Sequence, residues 1–438
     1  MRAGTTRAVT LAVALAVAPG AWCAEPQQLA PVTTWAVDEH TTGLLVEDHR
    51  VPLISVRLEF PAGTWSRWAR DAALEPALRS ALYDPAGRLR RRVDDLAAGV
   101  TLSVDERYSA VSARCLKEDL PAVVELLKEI LANESLDRTE LRLWRRSARL
   151  TYRALETDVQ FRSSRLVART LTAEDDPRRL RYERPRKRKT DPATLNALRA
   201  RLLRLPGRTV GLAGDLTPAE ARELAAGLLP PADTSRLPDL GLDLQPLVPR
   251  AQRRDTTDRI AKLTQVYFGL ARESVSMADP DWPAFVMANH VLGGHFYSRL
   301  YVALRHEGGE TYGAVALAEG DTEPGALVLA SFTRVANAGH AEEKLRRTLA
   351  TFRSEGITQA ERAETAARYR GRVPFTRQTP EGVLDRLLYE RRLGLPTGSL
   401  DALPERMAAL TLAEINEFIA GYYDPASFVM VRVAPAGE

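Results

Sequence analysis

Six histidines decide what metal or acid–base chemistry this chain can support, since imidazole is the commonest metal ligand and the side chain that titrates near neutral pH. They are His40, His49, His290, His295, His306 and His340, and none falls between residues 50 and 289. A helical zinc site needs two imidazoles about one turn apart and a further ligand. The chain contains neither H-E-x-x-H nor H-x-x-E-H; His290 and His295 are five apart, and His306 is followed by Glu307. No metal site is therefore expected in this chain. Serine elbows of the G-x-S-x-G type, P-loops and dinucleotide fingerprints are missing as well. Cys115 has no evident histidine partner and reads as a small apolar residue at a strand edge. One stretch stands apart: Val291-Leu292-Gly293-Gly294-His295-Phe296-Tyr297-Ser298-Arg299-Leu300-Tyr301-Val302-Ala303-Leu304-Arg305-His306-Glu307-Gly308-Gly309-Glu310-Thr311-Tyr312-Gly313. It reads as an apolar helix ended by a Gly-Gly pair, a short helix over about Ser298 to Arg305, a second Gly-Gly turn, and a strand from near Tyr312.

The elements that must hold this stretch recur at a spacing of about 220 residues. Asp119 to Leu131 is an amphipathic helix, and Asp137-x-x-Glu140 reads as a capping box opening a second helix through Tyr152. Ala341 to Phe352 is again an amphipathic helix, and Thr358-x-x-Glu361 again caps the next one, which runs past Arg368. Leu195 to Leu203 then Arg208 to Ala213 read as helix and strand; Thr411-x-x-Glu414, a helix through Phe418 and the strand Ser427 to Ala434 repeat that order. Val51 to Phe60 and Leu263 to Leu270 alternate apolar and polar residues as strands do. Between the halves, a proline-rich segment from Pro230 to about Asp258 reads as linker. The expected fold is α+β: two similar halves, residues 25–229 and 259–438, each a mostly antiparallel sheet with helices packed on one face, joined by residues 230–258.

With those elements in place, the pattern L-G-G-x-x-x-S-R-L-x-x-x-L-R-x-x-x-x-x-x-Y-G from Leu292 to Gly313 resembles the C-terminal half of the pitrilysin/insulysin-type zinc peptidases. That group includes the mitochondrial processing peptidase and its bacterial relatives. Leu45-Val46-Glu47-Asp48-His49-Arg50-Val51-Pro52-Leu53, followed by Ser55-Val56-Arg57-Leu58 and Ala62-Gly63, is similar to the family's opening hairpin. The resemblance covers about residues 30 to 435. It also locates a departure. Catalytic members carry H-x-x-E-H on the helix after the opening strands, about Asp71 to Asp84 here, and this chain reads Asp71-Ala72-Ala73-Leu74-Glu75-Pro76 onward with no histidine. Without those ligands no zinc-bound water is activated in this chain, so it is not expected to be a peptidase alone.

What the resemblance retains is Arg305 and Tyr312. In related enzymes such a pair faces the zinc from the C-terminal half. A phenol can donate to the oxyanion that develops on a scissile carbonyl, and a guanidinium can hold substrate carbonyls. Several bacterial relatives divide the work, one chain bearing the zinc motif and the other this pair; the present chain looks like the second kind. The resemblance thus implies an H-x-x-E-H-bearing partner subunit that holds the zinc, and a peptide substrate. Arg299 is expected to brace the loop or contact substrate, with Gly293 and Gly294 beside it in the substrate-binding set. A second substrate surface is expected at Gly99, Val100 and Thr101, where the family's edge strand receives an extended peptide. The alternative is a peptide-binding or scaffold protein of the same fold with no catalytic partner.

Composition agrees with a globular protein: of 438 residues, 45% are hydrophobic and 27% charged, which excludes a disordered tail, a collagen-like fibre and a polytopic membrane protein. Residues 1–24 read as a secretory signal: Arg2 and Arg7, an apolar run from Val9 to Ala18, Pro19-Gly20, and small residues around Cys23-Ala24. The expected location is the periplasm, with no integral membrane segment after signal removal. Loss of Arg2 and Arg7 lowers the net charge from +4 to +2, so no nucleic-acid partner is expected. The basic run Arg184 to Lys189 reads as a solvated loop.

Overall fold

A computed structural model describes residues 30–66, 88–132, 138–182, 191–235, 239–307, 309 and 311–436. The signal segment, the helix expected over Asp71 to Asp84, the capping residue Asp137 and the basic run Arg184 to Lys189 lie outside the described residues. Six strands form the first sheet: β1 (Val32–Asp38), β2 (Thr41–Glu47), β3 (Leu53–Phe60), β4 (Gly99–Val104), β5 (Ser109–Leu116) and β6 (Arg208–Gly214), in the order β1-β2-β6-β3-β5-β4. The second sheet contains β7 (Thr256–Ile260), β8 (Gln265–Glu273), β9 (Ala314–Gly320), β10 (Pro324–Arg334) and β11 (Val429–Pro435), in the order β7-β11-β8-β10-β9. Among the described residues only the β2–β6 and β7–β11 pairs are parallel. Strand for strand, β7-β11-β8-β10-β9 repeats β2-β6-β3-β5-β4.

The helices follow the same repeat. Among the described residues those of eleven residues or more are α1 (Leu120–Ala132), α2 (Arg138–Leu155), α3 (Val159–Leu171), α4 (Pro192–Leu203), α5 (Pro218–Leu228), α6 (Trp282–Gly293), α7 (Ala338–Glu355), α8 (Gln359–Thr376), α9 (Pro380–Arg392) and α10 (Leu412–Tyr422). Arg138 and Gln359, Val159 and Pro380, and Arg208 and Val429 open equivalent elements, and each pair lies 221 residues apart. Local chemistry fixes these starts. Thr358 with Glu361 and Thr411 with Glu414 make complete capping boxes, each satisfying two otherwise orphaned backbone donors.

Each half's own helices pack on one face of its sheet, as the pattern predicts. The opposite face is covered by one helix from the other half. Leu384 and Leu388 of α9 bury themselves on Leu44, Val46 and Ala213 of the first sheet. Leu166, Val167 and Leu171 of α3 do the same on Ala271, Val429 and Val431 of the second. Gly211 admits α9: a Cβ there would stand 3.0 Å from Leu384 Cδ1. Polar clasps flank both contacts. Arg162 of α3 donates to Asp258 at 2.7 Å, Arg391 of α9 to Thr42 Oγ1 at 2.6 Å, and Arg57 of β3 to Asp385 at 2.7 Å. With both faces covered, β6 is buried at every residue.

Two expectations are corrected here. The linker ends earlier than its composition suggests, because Thr256, Thr257 and Asp258 pair in parallel with Val431, Arg432 and Val433 and so open the second sheet. Nor is the rest a free tether: Asp243 N donates to the Trp65 carbonyl and Val248 N to that of Leu171, both at 2.9 Å. Cys115 lies on β5, which is not an edge strand, and its side chain is buried in the first core. Burial pushes its thiol up to about 11, so it stays protonated and unreactive.

Glu59 on β3 is buried where α9 crosses the sheet, with Arg392 3.5 Å away. Burial outweighs that arginine and lifts the carboxyl from 4.5 to about 7. Between those pH values the folded chain holds a proton that the unfolded chain has released, so stability falls as pH rises through this window. The loss is on the order of 3 kcal/mol for a shift of this size. Denaturant unfolding at both ends of the window should show this slope in the wild type and its disappearance in Glu59→Gln; equal slopes would refute the assignment.

Candidate functional site

The conspicuous stretch of the second half is built outward from α6. This helix is apolar over most of its surface and nearly all buried, so it docks against β9 and sets the position of the loop after it. Gly293 allows its last turn to touch the strand backbone: a Cβ there would lie 2.3 Å from the Ala316 nitrogen. Asn289 Nδ2 donates to the Ala316 carbonyl at 3.2 Å. Gly294 faces His290, whose Cα would be 2.7 Å from an added Cβ. The two glycines therefore serve close packing of the helix end.

After a buried Ser298, one short α-turn (Arg299–Tyr301) opens into a π-helix over Val302–Glu307. The plain short helix expected over Ser298 to Arg305 is thus corrected to a widened turn, a form frequent at functional sites. The chain leaves it through Gly309 at φ 61°, where Gly309 N donates to the Arg305 carbonyl at 3.1 Å. Only a residue without a Cβ adopts this backbone at little cost.

Arg305 and Tyr312 are brought together. The guanidinium sits 4.9 Å from the centre of the Tyr312 ring and donates through Nη1 to the Thr311 carbonyl at 3.1 Å. Thr311 is buried and clamps the turn: Gly313 N donates to its Oγ1 at 3.1 Å, and Ser331 Oγ donates to the Gly313 carbonyl at 2.9 Å. The backbone on both sides of Tyr312 is held while its side chain is 68% exposed. β9 starts at Ala314, two residues later than the expected strand. A phenol so presented, with a fixed cation over its ring, can donate a hydrogen bond to an anionic oxygen brought from outside.

Arg299 is committed elsewhere. Its Nε and Nη2 donate to the two oxygens of Glu361 at 2.8 and 3.0 Å, and Glu361 is the carboxylate of the α8 capping box. Of the two roles expected for Arg299, bracing is the one this geometry supplies. Gly99, Val100 and Thr101 lie on β4, an edge strand of the first sheet, and among the described residues nothing lies within 4 Å of where a Gly99 side chain would begin.

An aromatic rim around Arg305 is not evident from the sequence. Phe296 and Tyr297 are 72% and 78% exposed; Phe296 meets Tyr301 edge-on at 5.3 Å, and His306 meets both Tyr301 and Tyr297. The signal is present as F-Y-x-x-x-Y before the arginine, but apolar residues beside a helix look like core. The His290 and His295 rings lie 4.7 Å apart, tilted by 30°, and burial followed by the neighbouring His295 pushes His290 down to about 4, so it is neutral at pH 7. Among the described residues no three of His, Cys, Asp and Glu converge as a metal site would require.

Residues 192–369, which contain Arg305 and Tyr312, match the family model described as the peptidase M16 inactive domain. Comparison with curated proteins finds no match. The fold is shared with solved structures. A peptidase M16 inactive domain from Pseudomonas fluorescens is 20% identical, with a TM-score of 0.74 over 93% of this chain and 98% of that one. A protease from Helicobacter pylori is 13% identical, with a TM-score of 0.77 over 93% of this chain and 100% of that one. The periplasmic protease PqqL from Escherichia coli is 12% identical, with a TM-score of 0.73 over 99% of this chain and 49% of that one.

Proposed function

We propose that this chain, whose residues 192–369 match the peptidase M16 inactive domain, is a non-catalytic, pitrilysin-like accessory subunit in a heteromeric zinc metallopeptidase of the periplasm. The chain binds peptide and supplies Arg305 and Tyr312 to the active site of a partner that bears H-x-x-E-H. The single observation that carries this reading is the outward presentation of Tyr312, braced by Arg305, Thr311 and Gly313, in a chain whose own sequence has no zinc motif. The sequence offers no H-x-x-E-H to hold a zinc ion, and among the described residues no donor cluster suits one. The partner's zinc would supply the activated water. Tyr312 would donate its phenolic proton in a hydrogen bond to the carbonyl oxygen as it gains charge, and Arg305 would keep the phenol in place. The exposed rim of Phe296 and Tyr297 supports a surface that another chain covers, since solvent-facing aromatic clusters mark interaction sites.

The test is a tagged pull-down of this protein from its native periplasm, with zinc and peptide cleavage assayed in the eluate. A co-purifying chain of similar size with H-x-x-E-H, zinc and activity is the expected result. A clean, inactive protein without such a chain would overturn the subunit reading and favour a stand-alone peptide-binding scaffold.

A further inference from the structure

The helix α2 is long but barely used by the core. Among its described side chains only Leu141 and Tyr152 are buried, about three turns apart, and they mark one line along its inner side. Beside that line runs a stripe of Arg142, Arg146, Arg149 and Arg153, all exposed and spaced by three or four residues so that they share a face. Opposite the buried line stand Leu143 and Leu150, two turns apart and 41% and 54% exposed.

The fold does not need these arginines. Elsewhere the chain neutralises its guanidinium groups: Arg162 with Asp258, Arg178 with Asp176 and Arg377 with Asp401. Among the described residues no carboxylate pairs with any of the four on α2, and Arg142 donates only to Thr139 Oγ1, at 3.3 Å. Glu140 is the one acidic residue in the helix. Like charges one turn apart repel, so Arg142 with Arg146 and Arg149 with Arg153 weaken the helix that carries them. The repeat supplies an internal comparison. At the offset of 221 residues the stripe reads Ala363, Ala367, Arg370 and Pro374 on α8, and Arg370 is paired with Glu405. The same helix is thus built in the second half without an open cationic stripe.

We infer that α2 is the face by which this chain docks on an anionic lipid bilayer. The four arginines meet headgroup phosphates, which relieves their mutual repulsion. The leucines beside them enter the boundary between headgroups and acyl chains, as in an amphipathic helix lying in the plane of a membrane. Arginine is too frequent along α2 for the helix to cross the bilayer, so the attachment stays on the surface. The exposed leucines favour a bilayer over an acidic protein or a soluble polyanion, because a purely electrostatic partner needs the arginines alone. The inference is independent of the subunit reading, since it uses neither Arg305 nor Tyr312.

The purified full chain is sedimented with vesicles of phosphatidylcholine alone and with vesicles of equal parts phosphatidylglycerol and phosphatidylcholine. Binding to the second and not to the first is expected. Arg146→Glu combined with Arg149→Glu should weaken it about thirtyfold or more, at roughly fivefold for each arginine near an anionic surface. Both glutamates stand one turn from a remaining arginine, so the helix keeps its support, which circular dichroism and the melting temperature check. Leu143→Ser combined with Leu150→Ser should weaken vesicle binding while leaving its salt dependence unchanged. No binding by the wild type, equal binding to the two vesicles, or binding that survives the charge reversal would overturn the assignment. Loss on charge reversal without any effect of the serine pair, together with equal affinity for soluble heparin, would also overturn it, in favour of a soluble polyanion.

Discussion

Tyr312→Phe lowers turnover of the assembled peptidase about a hundredfold while leaving its zinc content and subunit composition unchanged: this is the result expected if the phenol donates to the developing oxyanion, since removal of one such donor costs on the order of 10²–10³ in rate. The substitution removes one oxygen from a side chain that is mostly in solvent, so it disturbs no core. The ring that Arg305 covers remains. The loss should therefore fall on kcat, with KM little changed, because the ground-state carbonyl carries less charge than the oxyanion. Steady-state kinetics of the reconstituted complex with a quenched peptide would decide it. Wild-type kcat in the substituted complex would remove Tyr312 from the chemistry.

Leu388→Ala should destabilise the whole chain by about 2–5 kcal/mol, the usual cost of removing a fully buried leucine side chain. Leu388 has no exposed surface and lies on α9 of the second half, but its contacts are on the first sheet. The damage should therefore spread from α9 into the other half. Hydrogen exchange of β6 in the first half should accelerate along with that of α9, and denaturant unfolding should remain one transition by fluorescence and by circular dichroism. If α9 alone frays and β6 keeps its protection, the two halves are not one cooperative unit.

Sequence periodicity reveals the repeat because each signal is local. The capping pairs Thr358–Glu361 and Thr411–Glu414 are three residues apart, and amphipathic helices declare themselves within a few turns. The exchange of α3 and α9 is harder to see, because Leu44 and Leu388 meet across most of the chain length and no local rule links them. A hint is present in Arg208 to Ala213, where apolar residues occupy both faces of one strand. At the site, the residue types of Arg305 and Tyr312 are ordinary, and the family resemblance singles them out. The π-turn that aims Arg305 depends on where Thr311 and Gly309 are held, which no helix propensity encodes. Arg299 finds its carboxylate on α8, so its structural commitment becomes visible only in three dimensions.

The exchanged helices give the molecule the logic of a fused dimer. A single repeat on its own would leave Leu44 and Val46, or Val429 and Val431, uncovered, and a second copy donating its own helix would be the simplest remedy. In this chain both copies lie on one polypeptide, and the second has become covalent. The segment between them is then a docked strap, bonded to Trp65 and Leu171 on one side and to Phe428 on the other, more than a hinge. Two fragments divided within residues 230–255 and produced together ought to reassemble through α3 and α9, and each produced alone ought to be insoluble.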